Sequence, residues 1–255
     1  MDAGRVALVT GASSGIGLAT VRTLVERGFS VFGVARSEEK LSRELGVIPG
    51  GVRWAVGDVT SQDDVSTVVQ AAMDAFGKID VLVNNAGRSG GAEVSKLDDE
   101  LWESVLGANL TSVMRMTREV LRRGNLDSDE ARIINVASTA GKQGVIYASP
   151  YCASKHGVIG FTRAVALELA ERGVTVNAVC PGYVETPLAQ KVRSGYADHW
   201  GKTEDEVLQD FSAKIPLGRY STPEEVAGMI AYLASPEAAS VTGQALNVCG
   251  GLGRF

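Results

Sequence analysis

The chain has 255 residues, 45% of them hydrophobic and 22% charged, enough to bury the core of one large α/β domain. Its 25 Lys and Arg face 30 Asp and Glu, a formal net charge of −5, and no basic block marks a nucleic-acid groove or an anionic membrane surface. No apolar run approaches the roughly 20 residues of a membrane span, no basic leader of a signal peptide opens the chain, and three scattered cysteines (Cys152, Cys180, Cys249) beside two histidines (His156, His199) fit reduced thiols in a cytoplasmic protein with no zinc site.

Short β-branched runs alternate with longer amphipathic stretches. Strands are predicted at 6–10, 31–35, 52–56, 81–84, 132–137, 174–179 and 245–248. Helices are predicted at 15–27, 37–45, 62–76, 98–122, 152–171 and 223–234. Continuous apolar strands are buried on both faces, so the expected fold is α/β, with about seven parallel strands and helices on both sides. Gly50-Gly51 and 124–130 read as surface turns. The long excursion at about 183–215 carries Tyr183, Tyr196, Trp200 and Phe211 and reads as a helical substrate lid.

Residues 10–17, Thr-Gly-Ala-Ser-Ser-Gly-Ile-Gly, follow the first strand and open a helix. Gly11 allows the tight turn, Gly15 lets backbone approach a pyrophosphate, and Gly17 lets the helix pack on the strand. Ser13, Ser14 and Ile16 complete the turn, and the helix N-terminus offers N–H groups to phosphate. An early phosphate turn favours a single doubly wound, Rossmann-type domain over 1–255 rather than a (β/α)₈ barrel, which holds phosphate late in the chain. The second strand ends at Arg36, where NAD binders carry an acid, and an arginine suits the 2′-phosphate of NADPH. The rival reading gives the ribose to Glu38 or Glu39. Asp58, with Val59, follows the third strand as a candidate adenine contact.

Tyr151 and Lys155 are four apart, one face of a helix. A free tyrosine titrates near ~10, and a neighbouring ammonium is expected to lower that value, so the phenol could give a proton to a carbonyl oxygen as hydride arrives at its carbon. Ser138 ends the fifth strand and can hold the same oxygen. Asn109, in the long fourth helix, could support a water that relays protons to Lys155.

Together these motifs resemble the short-chain dehydrogenase/reductases along the whole chain: TGASSGIG at 10–17, NNAG at 84–87, Asn109, Ser138, Tyr151 with Lys155, and PGYVET at 181–186. The resemblance implies that Asn85, Ala86 and Gly87 flank the cofactor, NADPH or NADP+, with Tyr151 and Lys155 also against it. It implies that Pro181, Gly182, Val184 and Thr186 line the nicotinamide amide. The segments ASTAGKQGV at 137–145 and ALNVCGGLG at 245–253 narrow the resemblance to ketoreductases of type II aromatic polyketide pathways, the actinorhodin type. Such relatives reduce one ketone of a polyketide to an alcohol in antibiotic biosynthesis, on acyl carrier protein or already cyclised.

Ser89 stands where relatives acting on the early, carrier-bound chain have proline, and loss of that proline is expected to free the local backbone. A tetracyclic, angucycline-type tailoring ketone is therefore an equal expectation. Ser89, Gly90, Gly91, Gln143, Tyr147, Tyr183 and Trp200 are the candidate substrate residues. The apolar helix from Cys152 suggests a subunit interface and, by the family, a homotetramer. Arg115, Arg118, Arg122 and Arg123 recur at helical spacing and could receive an acidic carrier protein, though a solvated cationic face is the plainer reading. Two alternatives remain beside the polyketide enzyme: a 3-oxoacyl-carrier-protein or general ketone reductase, and a catalytically silent NADP sensor.

Overall fold

In strand β1 (Val6–Thr10) every residue is buried, and successive side chains enter opposite cores. Ala7 and Val9 join one apolar cluster while Leu8 joins the other. The same parity holds for Val81, Val83 and Leu82 in β4 (Val81–Asn84) and for Ile134, Val136 and Ile133 in β5 (Arg132–Val136). A strand apolar at every position needs a helix layer on each side. This computed structural model describes residues 4–124, 126 and 130–253. The surface turn expected at 124–130 thus falls in part, at 125 and 127–129, outside the described residues.

The remaining strands are β2 (Ser30–Ala35), β3 (Val52–Val56), β6 (Thr175–Pro181) and β7 (Ala245–Val248). All seven pair in parallel in the order β3-β2-β1-β4-β5-β6-β7. The sheet is open, with β3 and β7 at its edges, so the barrel is excluded. One face is covered by α1 (Gly15–Glu26), α2 (Glu38–Leu45) and α9 (Pro223–Leu233) through Val21, Leu24, Leu41, Ile230 and Leu233. The other face is covered by α3 (Gln62–Phe76), α5 (Ser112–Arg123) and α6 (Ser149–Leu169) through Val65, Val69, Met116, Val120, Val165 and Leu169. Truncating one such side chain, as in Leu24→Ala, costs about 2–5 kcal/mol.

Between β1 and β4 the chain direction of winding reverses, which opens a crevice at the carboxyl ends of the strands. The expected lid is two helices, α7 (Pro187–Trp200) and α8 (Glu204–Ser212), around a small core of Ala197, Val207, Phe211, Ile215 and Tyr220.

Two helices differ from expectation. The single helix predicted at 98–122 is α4 (Asp99–Leu106) and α5, joined by one π-helical turn, Gly107–Thr111. There Ser112 N–H reaches back five residues to Gly107 O, and the Ser112 hydroxyl takes Ala108 O at 2.6 Å. Apolar periodicity cannot register one extra residue in a turn, and π turns gather at functional sites. The helix predicted from 152 starts at Ser149, because Pro150 sits in its first turn, where a missing N–H costs nothing.

Candidate active site

Six helices begin with a side-chain cap. Ser37, Ser61, Asp98, Thr186, Thr203 and Thr222 each accept from the backbone N–H three residues on, at the starts of α2, α3, α4, α7, α8 and α9. Helix α1 begins differently. Its N-cap, Ser14, makes no side-chain cap bond, is exposed, and no acid lies in the first turn. The free N–H groups and the positive dipole end therefore face the crevice unanswered. A Cβ on Gly17 would sit on Gly11 O, and one on Gly11 would meet Asn85 Nδ2 at 2.7 Å, so no side chain fits the cradle. A pyrophosphate fits this donor set.

Asn85 locks the cradle to β4. Its Nδ2 donates to Thr10 O at 2.9 Å and its backbone N–H to Thr10 Oγ1 at 3.0 Å, which also accepts from Ala86 N–H at 3.0 Å. Gly87 lies beyond, beside Asn109 and Lys155. Across the crevice, Thr186 lies against Gly15. Val184 and Pro181 are buried and Gly182 backs onto Cys249. The Thr186 hydroxyl caps α7 and also donates to Val184 O at 3.3 Å.

At the end of β2, Arg36 is exposed with Asp58 as a charged neighbour. Glu38 accepts from Trp54 Nε1 at 3.3 Å. Asp58 Oδ1 is occupied by Thr60, at 2.9 Å from its N–H and 2.7 Å from its hydroxyl, bonds that hold the carboxyl below its ordinary value against the opposing cost of burial. Val59 packs partly against the apolar layer beneath.

Tyr151, in the first turn of α6, is hydrogen-bonded to the Ser138 hydroxyl, which also accepts from Ala140 N–H at 3.1 Å. Burial pushes the Tyr151 phenol above 10.0, and the Ser138 bond opposes that only in part. The shift runs opposite to the expected lowering: Lys155 lies 5.8 Å from the Tyr151 ring centroid, and desolvation is the largest cause acting on the phenol. Lys155 is buried, donates to Val136 O at 2.8 Å, and its ammonium is pushed down to about 8 by desolvation.

Asn109 is 0% exposed. Its Nδ2 gives one hydrogen to Arg88 O at 3.0 Å and the other to Ser154 Oγ at 3.1 Å, while Oδ1 accepts from Arg88 N–H at 2.8 Å. Both amide hydrogens are engaged, so the side chain clamps the 88–91 loop at Arg88. That loop is held on two further sides: a Cβ on Gly90 would meet Val105 Cγ2 at 2.5 Å, and one on Gly91 would sit on Tyr147 O.

Tyr147 is the only non-glycine residue with positive φ among the described residues, at 61°. It shares with Val94, Val145 and Ile146 a cleft of about 370 Å³. Gln143 lies at the root of the same loop, its N–H on Thr139 O at 3.2 Å. Tyr183 is stacked between Phe211, at 4.8 Å, and Tyr220, at 5.2 Å, and Trp200 packs on Tyr196 and Phe211. Tyr183 thus lies against the small core of the lid, while Trp200 keeps 40% of its surface exposed. Among the arginines of α5, Arg115 binds Thr60 O, Arg118 binds Gln62 Oε1, and Arg123 donates to Gln70 Oε1 of α3 at 3.3 Å. These three tie α5 to the elements beside it, which is why they do not form the free cationic face that spacing suggested.

The three cysteines are free thiols, and among the described residues no group of three or more His, Cys, Asp or Glu is placed to hold a metal. No described helix is long and apolar enough to cross a membrane.

Residues 5–197 match the family model of the short chain dehydrogenases. The chain belongs to that family.

This short chain dehydrogenase is 61% identical over 255 residues, 98% of each chain, to a Streptomyces virginiae protein named as the ketoacyl reductase of a monensin polyketide synthase. It is 41% identical to a 3-oxoacyl-[acyl-carrier-protein] reductase of Vibrio cholerae, over 98% of this chain and 97% of that one. A crystal structure of an actinorhodin polyketide ketoreductase variant with NADPH superimposes with a TM-score of 0.96 at 52% identity, covering 99% of this chain and 98% of that one. Two participants escaped the sequence reading. Thr10 looks like the last residue of a strand, and Ser154 like a small filler between Tyr151 and Lys155, yet both hydroxyls bridge separate elements of the site.

Proposed function

We propose that this protein is an NADPH-dependent ketoreductase that reduces one ketone of an aromatic polyketide intermediate to a secondary alcohol. One observation carries the chemistry: the Tyr151 phenol is bonded to the Ser138 hydroxyl and stands beside the buried Lys155 ammonium. The relatives named as polyketide ketoreductases, at 61% and 52% identity, favour a polyketide over the acyl chains of the 41% relative.

The turn at Gly11, Ser13, Ser14, Gly15, Ile16 and Gly17 would hold the pyrophosphate, and Arg36 the 2′-phosphate. Asp58 and Val59 would border the adenine. Asn85, Ala86, Gly87, Pro181, Gly182, Val184 and Thr186 would enclose the nicotinamide. NADPH, when bound, supplies hydride to the carbonyl carbon. Ser138 orients the ketone oxygen by hydrogen bonding. Tyr151 gives its proton to that oxygen; a phenol raised above its ordinary value is fully protonated at neutral pH, the state a proton donor needs. Lys155, held on Val136 O, sets positive charge behind the phenol and favours the phenolate left after transfer. Asn109 positions the 88–91 loop. Ser89, Gly90, Gly91, Gln143 and Tyr147 border the ketone, and Tyr183 and Trp200 act through the shape of the lid.

Ala164 and Leu167 on α6 are exposed, Leu167 at 81%, so the apolar helix is covered on one side only within the chain. A second copy of the chain would cover the rest, in keeping with a homotetramer. An acyl carrier protein as presenter of the substrate belongs to the same reading, as does a tetracyclic angucycline-type ketone taken free.

The test is NADPH oxidation, against NADH, with the bicyclic ketone trans-1-decalone and then a polycyclic quinone. Turnover with NADPH supports the reading. Tight NADPH binding with no turnover of any ketone would replace the enzyme by a nucleotide sensor.

A further inference from the structure

Arg193 lies on α7 and Glu185 in the segment leading into it. The guanidinium grips the carboxylate fork on fork, Nη1 to Oε2 at 2.8 Å and Nη2 to Oε1 at 3.1 Å. The arginine side chain is 10% exposed and the glutamate 41%. Its guanidinium also lies 5.7 Å from the Tyr220 ring centroid. Tyr220 stacks on Tyr183, and Tyr183 on Phe211 of α8. The backbone adds to this. Glu185 N–H donates to Ser221 O at 3.0 Å and Ser221 N–H to Tyr183 O at 2.9 Å. One short segment, 183–186, is therefore bound to residues 220–221, to α7 and to α8.

The far end of α7 reaches the loop across the crevice mouth. Tyr196 Oη donates to Ile146 O at 3.4 Å, and His199 meets the Tyr147 ring edge-on at 5.6 Å. These are weak contacts, and the five-residue lid core is small. The bidentate pair, which joins the middle of α7 to the residue just before its N-cap, is the directional contact, since a planar fork accepts a carboxylate in one orientation.

We propose that the Arg193–Glu185 fork is a latch. It fixes the tilt of α7, so that Tyr196 and His199 meet the 146–147 loop and close the mouth over a bulky, fused-ring ketone. Arg193 is a positioning residue: it touches neither ketone nor cofactor and sets affinity for wide substrates through α7. This rests on the ketoreductase reading for its substrate class, but the latch itself has a readout that needs no turnover.

Two variants test it. Glu185→Gln keeps the size and loses the charge; Arg193→Met keeps the stem and loses the fork. Each is expected to raise KM for trans-1-decalone by about tenfold with kcat not reduced, Arg193→Lys falling between, while NADPH affinity by fluorescence stays within about twofold. In Glu185→Gln, limited trypsin cleavage at Lys191 and Lys202 is expected to quicken by about tenfold relative to wild type. Unchanged cleavage in Glu185→Gln overturns the latch. So does a parallel fall of kcat, cofactor affinity and Tm, which marks a merely structural pair. A wild type inert toward every ketone would overturn the ketoreductase reading instead, and the cleavage rates would still decide the latch.

Discussion

Asn109 and Tyr151 are joined through one hydroxyl: Asn109 Nδ2 donates to Ser154 Oγ at 3.1 Å, and Ser154 Oγ donates to Tyr151 O at 2.7 Å. The link ties the π turn to the first turn of α6. Asn109→Leu keeps the volume but removes every partner at once, leaving the Arg88 N–H and carbonyl without their bonds. Each buried group left bare costs about 1–3 kcal/mol. The variant should lose on the order of 3 kcal/mol in urea unfolding, and its turnover should fall further than Ser154→Ala, which breaks only the link. Equal stability of Asn109→Leu and wild type would refute the clamp.

Tyr151→Phe removes the proton donor and little else, since the phenol's one side-chain partner is Ser138. Ketone reduction should drop by about 10²–10⁴-fold. NADPH affinity, read by fluorescence, should stay near wild type. A variant retaining most of its rate would move the acid elsewhere.

Arg36, proposed to hold the 2′-phosphate, is exposed, while Glu38 is held by Trp54. Arg36→Ala should raise KM for NADPH by about 10–100-fold, the loss of a charge-assisted contact to phosphate. KM for NADH should be unchanged. Equal losses for both nucleotides would show that Arg36 does not read the 2′-phosphate.

Lys155 titrates near 8 in the folded chain against 10.5 for a free lysine. Desolvation lowers it, so the sign runs against folding. Below pH 8 both folded and unfolded chains hold the proton and the full cost is present. Between 8 and 10.5 the unfolded chain holds more protons, so stability rises with pH. Lys155→Met should abolish this rising limb and, below it, be more stable by on the order of 3 kcal/mol less the lost Val136 bond. Parallel stability curves for the two proteins would contradict the buried ammonium.

The fold was legible because burial on both faces writes itself into composition. Runs such as Val-Ala-Leu-Val-Thr at 6–10 can only be central parallel strands, and all seven were located within a few residues. The glycine cradle was legible for a related reason: no other residue fits where Gly17 touches the Gly11 carbonyl. What escaped depends on direction rather than identity. Spacing put Arg115, Arg118 and Arg123 on one helix face, but not against the loop at 60–62 and α3. An aromatic count marked Tyr183 and Trp200, but could not tell which other lid rings each would stack on. The π turn was invisible because one inserted residue leaves hydrophobic periodicity nearly unchanged.

The bare start of α1 makes that helix unfinished. Its neighbours carry their own caps in sequence, whereas α1 leaves the position to an anion that arrives later. The first amides of the helix, from Gly15 to Gly17, thus become a built-in occupancy gauge. They should exchange with solvent deuterium quickly in the free protein and slow sharply as nucleotide fills the crevice, while the self-capped start of α3 keeps one rate throughout.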